Sequence, residues 1–398
     1  MKGFAERLGR LGTESAFEVA QQANEWGMAG NKVFPFHIGD FNIPTPGRVV
    51  EAMNRAIADG KTGYCQPPGI PQLRKALAED VGQLRGIDYS LENVIVQPGG
   101  KPTIGKFIMA VMEPGDEVLY PSPGFPIYES LIEFHGGKAM PYTFHEEGDE
   151  FFLDLDQLRT RISLQTTMLI FNNNHNPTAA ESPREELEAL AEICLENDLW
   201  VLSDEAYFET RYEGESQSIA SLPGMAERTV ILYTFSKRFA MTGWRVGASI
   251  GPPKVMEIIG QLNVNDESCT NHFAQWAMID ALEGGEKMCK PIVDKLRVRR
   301  DLTCQLLNDI EGVSLGVPES TFYVYPDVTA VVERLAFDST IEFQEDVLHK
   351  TGVAFCPRDY FCTPLPGERS HYVRFAYAGI GQADIREGLA RFKAYCEA

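Results

Sequence analysis

The strongest constraint on this chain is a repeated exchange between two hydrophobic periodicities. Between about Val49 and Leu262, short runs rich in β-branched and aromatic residues alternate with amphipathic stretches: Val94-Ile95-Val96, EVLYP (117–121), TTMLIFNN (166–173), LWVLSD (199–204) and TVILYTF (229–235). These runs are apolar almost throughout, so each needs cover on both faces, as in a mostly parallel sheet held between two helical layers. One intervening stretch, PREELEALAEICLEN (183–197), places Leu187, Leu190, Ile193 and Cys194 on one side and acidic residues on the other, behind a proline suited to a first helical turn. It predicts a surface helix with a structural role only. Ligand-binding groups of such sheets collect beyond the carboxyl ends of the strands.

After about Lys290 the pattern changes to a long charged helix (Val293 to Ile310), short strands in STFYVYP, GVAFCP and YVRFAYA, and a final amphipathic helix from Asp384. With 398 residues and 44% apolar content, the chain can bury more than one core. It predicts an N-terminal arm that joins the small domain (residues 1–45), a large α/β domain (46–290) and a small α+β domain (291–398).

A formal net charge of −21 argues against nucleic acid or an anionic membrane as the main partner. The N-terminal MKGFAERLGRLGTES has no signal-type apolar core, and no later segment is apolar enough to span a bilayer, so a cytoplasmic location is expected. Eight cysteines (65, 194, 269, 289, 304, 356, 362 and 396) show neither C-x-x-C nor paired Cys/His spacing, and predict reduced, mostly buried thiols with no catalytic metal.

The turn GGKPTIGKF (99–107) has the G-x-x-x-x-G-K spacing of a nucleotide-binding loop, but Phe107 stands where a magnesium-binding hydroxyl is required. What remains is a strand, two glycines and a helix N-terminus, an anion site for any phosphate. Three further motifs follow predicted strands: Asn-Pro-Thr (176–178), Asp-Glu-Ala-Tyr (204–207) and SKRFAMTGWR (236–245). Lys237 lies among Phe235, Phe239, Met241 and Trp244, a setting in which an amine near a second fixed cation serves as a nucleophile towards carbonyls. Arg245 can be that cation and a planar phosphate ligand, and Asp204 can hold a pyridinium nitrogen protonated.

With these motifs on one scaffold, the chain resembles the fold-type I, class I/II aminotransferases, the aspartate aminotransferase-like enzymes that use pyridoxal 5′-phosphate (PLP). The resemblance runs from TESAFEVAQQANEWGMAG through HIGDFNIPTP and TGYCQPPGIPQLRKAL to YVRFAYAG. It implies a seven-stranded, mostly parallel sheet with helices on both faces, plus a smaller α+β domain. It implies Lys237 as the Schiff-base lysine and proton shuttle, Asp204 on the ring nitrogen, Tyr207 and Asn176 on the ring hydroxyl, and Phe125 stacked on the ring. Gly100, Lys101, Ser236 and Arg245, with Thr234, would hold the phosphate, joined by Tyr64 of a second subunit in a homodimer; otherwise Tyr64 is a buried turn tyrosine. Arg374 and Gly39 would take the α-carboxylate of the amino acid, whose amino group passes to a 2-oxo acid.

The sequence departs from the family pattern at Ala179-Ala180 and at Pro102, which lacks an amide proton. In NVNDESCTNHFAQWA (263–277), Asp266 and Glu267 fall near a segment that lines the partner's pocket in many relatives. They read as a solvated acidic loop; the alternative is an acidic wall that disfavours aspartate, with a basic group such as Arg358 as the competing determinant. Elimination, cyclisation, decarboxylation or a synthase reaction could use the same residues, whereas a regulator built on this fold should carry a basic DNA-binding helix.

Overall fold

The computed structural model describes residues 3–12, 16–368 and 371–398, so Thr13-Glu14-Ser15, which open the N-terminal motif, lie outside the described residues. The large sheet contains β1 (Val94–Gln97), β2 (Glu117–Pro121), β3 (Lys138–Tyr142), β4 (Thr166–Phe171), β5 (Trp200–Asp204), β6 (Thr229–Thr234) and β7 (Gly247–Ile250). Their spatial order is β1-β7-β6-β5-β4-β2-β3. Neighbours from β6 to β3 pair in parallel, while β7 runs antiparallel to both β1 and β6.

The apolar runs bury both faces, and successive residues divide between two cores. Val94, Val96, Ile231 and Tyr233 pack on the side of helices Pro71–Arg85 and His272–Gly284. Ile95, Val118, Tyr120, Val230 and Leu232 pack on the side of helices Lys101–Val111 and Pro253–Asp266. The helix predicted at 183–197 is Arg184–Glu196, and Leu187, Leu190 and Ile193 cover Leu169 and Val201.

A separate core joins Phe34 and Phe36 to residues from Ile292 to Cys396. Phe34–Pro35 pairs in parallel with Val353–Ala354, and a separate sheet places Val373–Ala376 between Tyr323–Val324 and Cys356–Pro357. GVAFCP is therefore two short strands in different sheets. The long charged helix begins at Glu286, before the expected Val293, and carries Pro291 inside it. Burial of Cys289 and Ile292 on that turn offsets the missing proline donor. The final helix starts at Gln382, and the antiparallel β7 has no counterpart in the sequence reading.

Candidate active site

Four strand ends deliver the four motifs to one cavity. Gly99-Gly100 follow β1, Asn172 to Thr178 follow β4, Asp204 ends β5, and Thr234 ends β6 before Ser236 and Lys237. The cavity is about 530 Å³, and its wall includes Gly39, Gly100, Lys101, Phe125, Asn176, Asp204, Tyr207, Thr234, Ser236, Lys237, Arg245 and Arg374.

One end is built to receive an anion. Gly99 has φ +93°, in the left-handed region, and a Cβ there would lie 2.1 Å from Arg245 Nη2. The backbone angle favours glycine, and the missing side chain lets the Arg245 guanidinium lie against the turn. Gly100 caps the helix Lys101–Val111, whose positive end faces the cavity, although Pro102 brings no N–H and the Thr103 N–H donates to the Gly100 carbonyl at 3.0 Å. Arg245 is itself left-handed (φ +56°), and its Nη1 donates to the Thr242 carbonyl at 2.8 Å. The Ser236 N–H donates to the Thr234 hydroxyl at 3.2 Å, which fixes the turn after β6. The Lys101 ammonium lies 5.3 Å from the centre of the Phe125 ring.

Deeper in the cavity stand a buried acid and an amine. Asp204 accepts a 2.6 Å hydrogen bond on Oδ2 from the Tyr128 hydroxyl and a 3.2 Å bond on Oδ1 from the Ala206 N–H. Burial nevertheless pushes its carboxyl up to about 6, against the opposing effects of those bonds and of Lys237. Asn172 Nδ2 donates to the Asp204 carbonyl at 2.8 Å and its Oδ1 accepts from the Asn176 N–H, tying the loop after β4 to the end of β5. Lys237 Nζ donates to the Gly39 carbonyl at 2.7 Å. The Tyr207 and Tyr323 hydroxyls are 2.7 Å apart, and burial holds the Tyr207 phenol well above its usual range.

Arg374 is 4% exposed. Its Nη1 donates to Asn176 Oδ1 and its Nη2 to the His37 carbonyl, each at 2.8 Å. The guanidinium lies between Tyr323 and Phe361, 4.4 and 4.7 Å from their ring centres. Burial first, and the Arg374 charge second, lower the His37 imidazole to about 4, so it is neutral at pH 7.

Tyr64 stands apart from this wall. It is 90% exposed and lines a separate depression with Cys269, Asn271 and His272. A buried turn tyrosine is thus corrected: among the described residues, almost nothing covers it. The reading of 266–267 as a purely solvated acidic loop is also corrected. Glu267 accepts a 2.5 Å hydrogen bond from Lys106 Nζ, which is buried and also donates to Gln97 and Asn263. Neither Asp266 nor Glu267 lines the cavity, and Arg358 is buried in a double hydrogen bond to Glu368.

The sequence reading missed Tyr128, Tyr323, Ile38 and Asp40, all of which line the cavity. Tyr128 had a signal: it lies three residues after Phe125 in PSPGFPIY, and the two rings meet edge to face at 5.7 Å. Tyr323 had none, because a long-range hydroxyl contact leaves no local pattern. Among the described residues, no group of three or more His, Cys, Asp or Glu side chains is placed to hold a metal ion.

Comparison with known proteins supports the same reading from outside the site. A family model described as aminotransferase class I and II matches residues 31–392. The chain is 32% identical over 399 residues to a probable aspartate/prephenate aminotransferase of Aquifex aeolicus, covering 98% of each protein. Among solved structures, aspartate aminotransferase from Thermus thermophilus with maleate superposes with a TM-score of 0.91 at 32% identity, covering 99% of this chain and 100% of that one. An alanine aminotransferase from Pyrococcus furiosus gives 0.91 at 30% identity, with the same coverage. With strand ends, cavity and whole-length similarity in agreement, the chain belongs to the class I and II aminotransferases.

Proposed function

We propose that this enzyme uses PLP to move the α-amino group of a dicarboxylic L-amino acid, aspartate foremost, to a 2-oxo acid. Amino-group transfer follows from the family, whose members generally depend on PLP. The observation that carries the cofactor reading is Asp204: a buried carboxyl on the wall of a cavity that also holds an ammonium and an anion cradle. A carboxylate there is costly until a cation meets it, and a protonated ring nitrogen is such a cation. The residues fit the group.

When bound, the cofactor supplies an aldehyde that takes up the amino group and a ring that accepts the electron pair released at the substrate's Cα. Gly100, Lys101, Ser236, Thr234 and Arg245 would hold its phosphate, and Phe125 would cover the ring. Asn176 Oδ1 is engaged by Arg374, which leaves its Nδ2 to donate to the ring oxygen together with the Tyr207 hydroxyl. Asp204 would hold the proton on the ring nitrogen. Lys237 Nζ would take the proton from Cα and return it during transfer. The Arg374 fork, steadied by Asn176 and the two rings, would grip the α-carboxylate beside the Gly39 backbone.

The preference for a second carboxylate rests on the relatives: the Aquifex protein is named a probable aspartate/prephenate aminotransferase, and the Thermus structure is an aspartate aminotransferase with maleate, a dicarboxylate. We also infer a cytoplasmic homodimer. Tyr64, exposed in the single chain, would reach the phosphate of the partner's site, and among the described residues no helix is long and apolar enough to cross a membrane.

The test is the visible absorption spectrum of the purified enzyme before and after single L-amino acids are added without an oxo acid, with quenched products identified by mass spectrometry. Aspartate should give stoichiometric pyridoxamine phosphate and oxaloacetate, faster than alanine gives pyruvate. Turnover without pyridoxamine phosphate would overturn the reaction. Faster conversion of alanine would overturn the substrate.

A further inference from the structure

Six of the eight cysteines are buried; Cys65 and Cys269 are the two half-buried ones. They lie on two loops far apart in the sequence, close enough for the Cys269 thiol to act on the Cys65 thiol, and Cys65 Sγ reaches the carbonyl of Thr270, the residue next to Cys269. The contact is organised by Gln275, whose Nε2 donates to Cys65 Sγ at 3.2 Å and to the Thr270 carbonyl at 2.8 Å. Its Oε1 accepts from the Ile70 N–H at 2.8 Å. The Cys65 thiol also points at the Thr270 carbonyl, 3.6 Å away. One buried carboxamide thus ties the Cys65 loop to the residue that follows Cys269. In the single chain Cys269 lines a depression of about 280 Å³ with Tyr64, Asn271 and His272, on the face that the proposed second subunit would meet, so that peroxide would reach the pair from the shared active site.

We propose that Cys65 and Cys269 are a redox-active pair that hydrogen peroxide converts to an intrachain disulfide. Cys269, on the depression wall, meets the oxidant first: its sulfur takes one peroxide oxygen to become a sulfenic acid, and the other oxygen leaves as water. Cys65 then attacks that sulfur. The S–S bond forms, the S–O bond breaks, and the departing hydroxide leaves with the Cys65 proton as a second water. Two thiols are oxidised by two electrons and one peroxide is reduced. Burial holds the Cys65 thiol up to about 11, which makes it a poor first nucleophile towards peroxide; its attack on the Cys269 sulfenic acid relies on proximity rather than on thiolate content.

The disulfide ties the Tyr64 loop to the 268–271 loop. If Tyr64 serves a second subunit's phosphate, as proposed above, oxidation restrains the residue that completes that site. This consequence rests on that reading; the cross-link does not.

The experiment treats the full-length holoenzyme with a small excess of hydrogen peroxide, alkylates the remaining thiols, and maps non-reduced peptides by mass spectrometry. The expected result is protection of two of the eight thiols, one peptide joining Cys65 to Cys269, and reversal by dithiothreitol. In C65S, Cys269 should stop at a sulfenic acid that dimedone traps. Alkylation of all eight thiols after oxidation, over-oxidation without a cross-link, or a bridge between other cysteines overturns the proposal. The coupled readout is the cofactor concentration that gives half-maximal activity. It should shift on oxidation of the wild type and stay unchanged on oxidation of C269S. A cross-linked enzyme with an unshifted requirement overturns the coupling. Y64F, compared with the wild type when both are reduced, shows separately whether the Tyr64 reading itself has failed.

Discussion

The Tyr128 hydroxyl donates a 2.6 Å hydrogen bond to Oδ2 of Asp204, and both groups are buried on the cavity wall. This bond opposes the effect of burial on the acid, so it decides how much of Asp204 is ionised near neutral pH. Tyr128→Phe should raise the Asp204 carboxyl further above about 6 and move the acid limb of the activity profile to higher pH. A hydrogen bond to a charged group contributes about 1.5–3 kcal/mol, so kcat/KM at pH 7 should fall roughly 10- to 100-fold. The measurement is a pH profile of kcat/KM, and an unmoved acid limb would show that Tyr128 does not tune Asp204.

Asp204 should also be visible in the stability of the cofactor-free protein. Its folded-state carboxyl, about 6 against an ordinary 3.8, binds its proton more tightly than in the unfolded chain. The stabilisation is therefore complete below about pH 4 and is lost as pH rises through about 6. Asp204→Asn removes that dependence. It should be more stable than the wild type at pH 8, by about 3 kcal/mol, with the difference vanishing near pH 4. Urea unfolding at both pH values checks the sign. The same variant should lose amino-transfer activity.

Gly39 touches Tyr323 so closely that a Cβ would lie 2.3 Å from its hydroxyl oxygen and 3.2 Å from Cζ. That hydroxyl is already held by Tyr207 at 2.7 Å and cannot withdraw without breaking the contact. Gly39→Ala should therefore strain the site by about 1–3 kcal/mol and raise KM for the amino acid. Adding Tyr323→Phe removes the nearest atom and should restore part of the loss. Steady-state kinetics of the two single variants and the double variant give the coupling, and strictly additive effects would exclude this contact as the cause.

Behind the site, Arg85 Nε and Glu205 Oε2 form a fully buried ion pair at 2.5 Å, with the Ser203 hydroxyl donating to the other carboxylate oxygen at 2.8 Å. Glu205→Ala leaves a buried guanidinium without this partner and should cost about 3–5 kcal/mol of stability. Lys290→Ala, which breaks the exposed 2.8 Å pair with Asp294, should cost under about 1 kcal/mol. Denaturant unfolding of both variants compares the two directly. Equal losses would mean that burial does not govern the Arg85 pair.

The sequence by itself determined the layered fold and the residue types at the strand ends. Apolar runs such as VIV and EVLYP can be satisfied only with cover on both faces, and that cover fixes where each strand stops. Glycines at 99 and 100, the Ser236-Lys237 pair and Asp204 were legible because their chemistry follows directly from local position: a turn, a helix start, a strand end. Even the Pro183 helix start appeared in composition alone. All of these are short-range properties of the chain.

Only the tertiary structure decided which groups those residues meet. Tyr128 on Asp204, Tyr323 between Gly39 and Tyr207, Lys106 on Glu267 and Cys65 against Cys269 join positions from 76 to 284 residues apart, including the separations 161 and 116. The antiparallel β7 was equally hidden, since Gly247–Ile250 takes its direction from the chain's return between β1 and β6. Hydrogen bonds and burial depend on distance in space, and periodicity records only which face a residue occupies. The sequence could therefore name an acid, an amine and a glycine turn at a helix start, while the packed protein set the acid's protonation and fixed the Arg374 guanidinium against Asn176 and the His37 carbonyl.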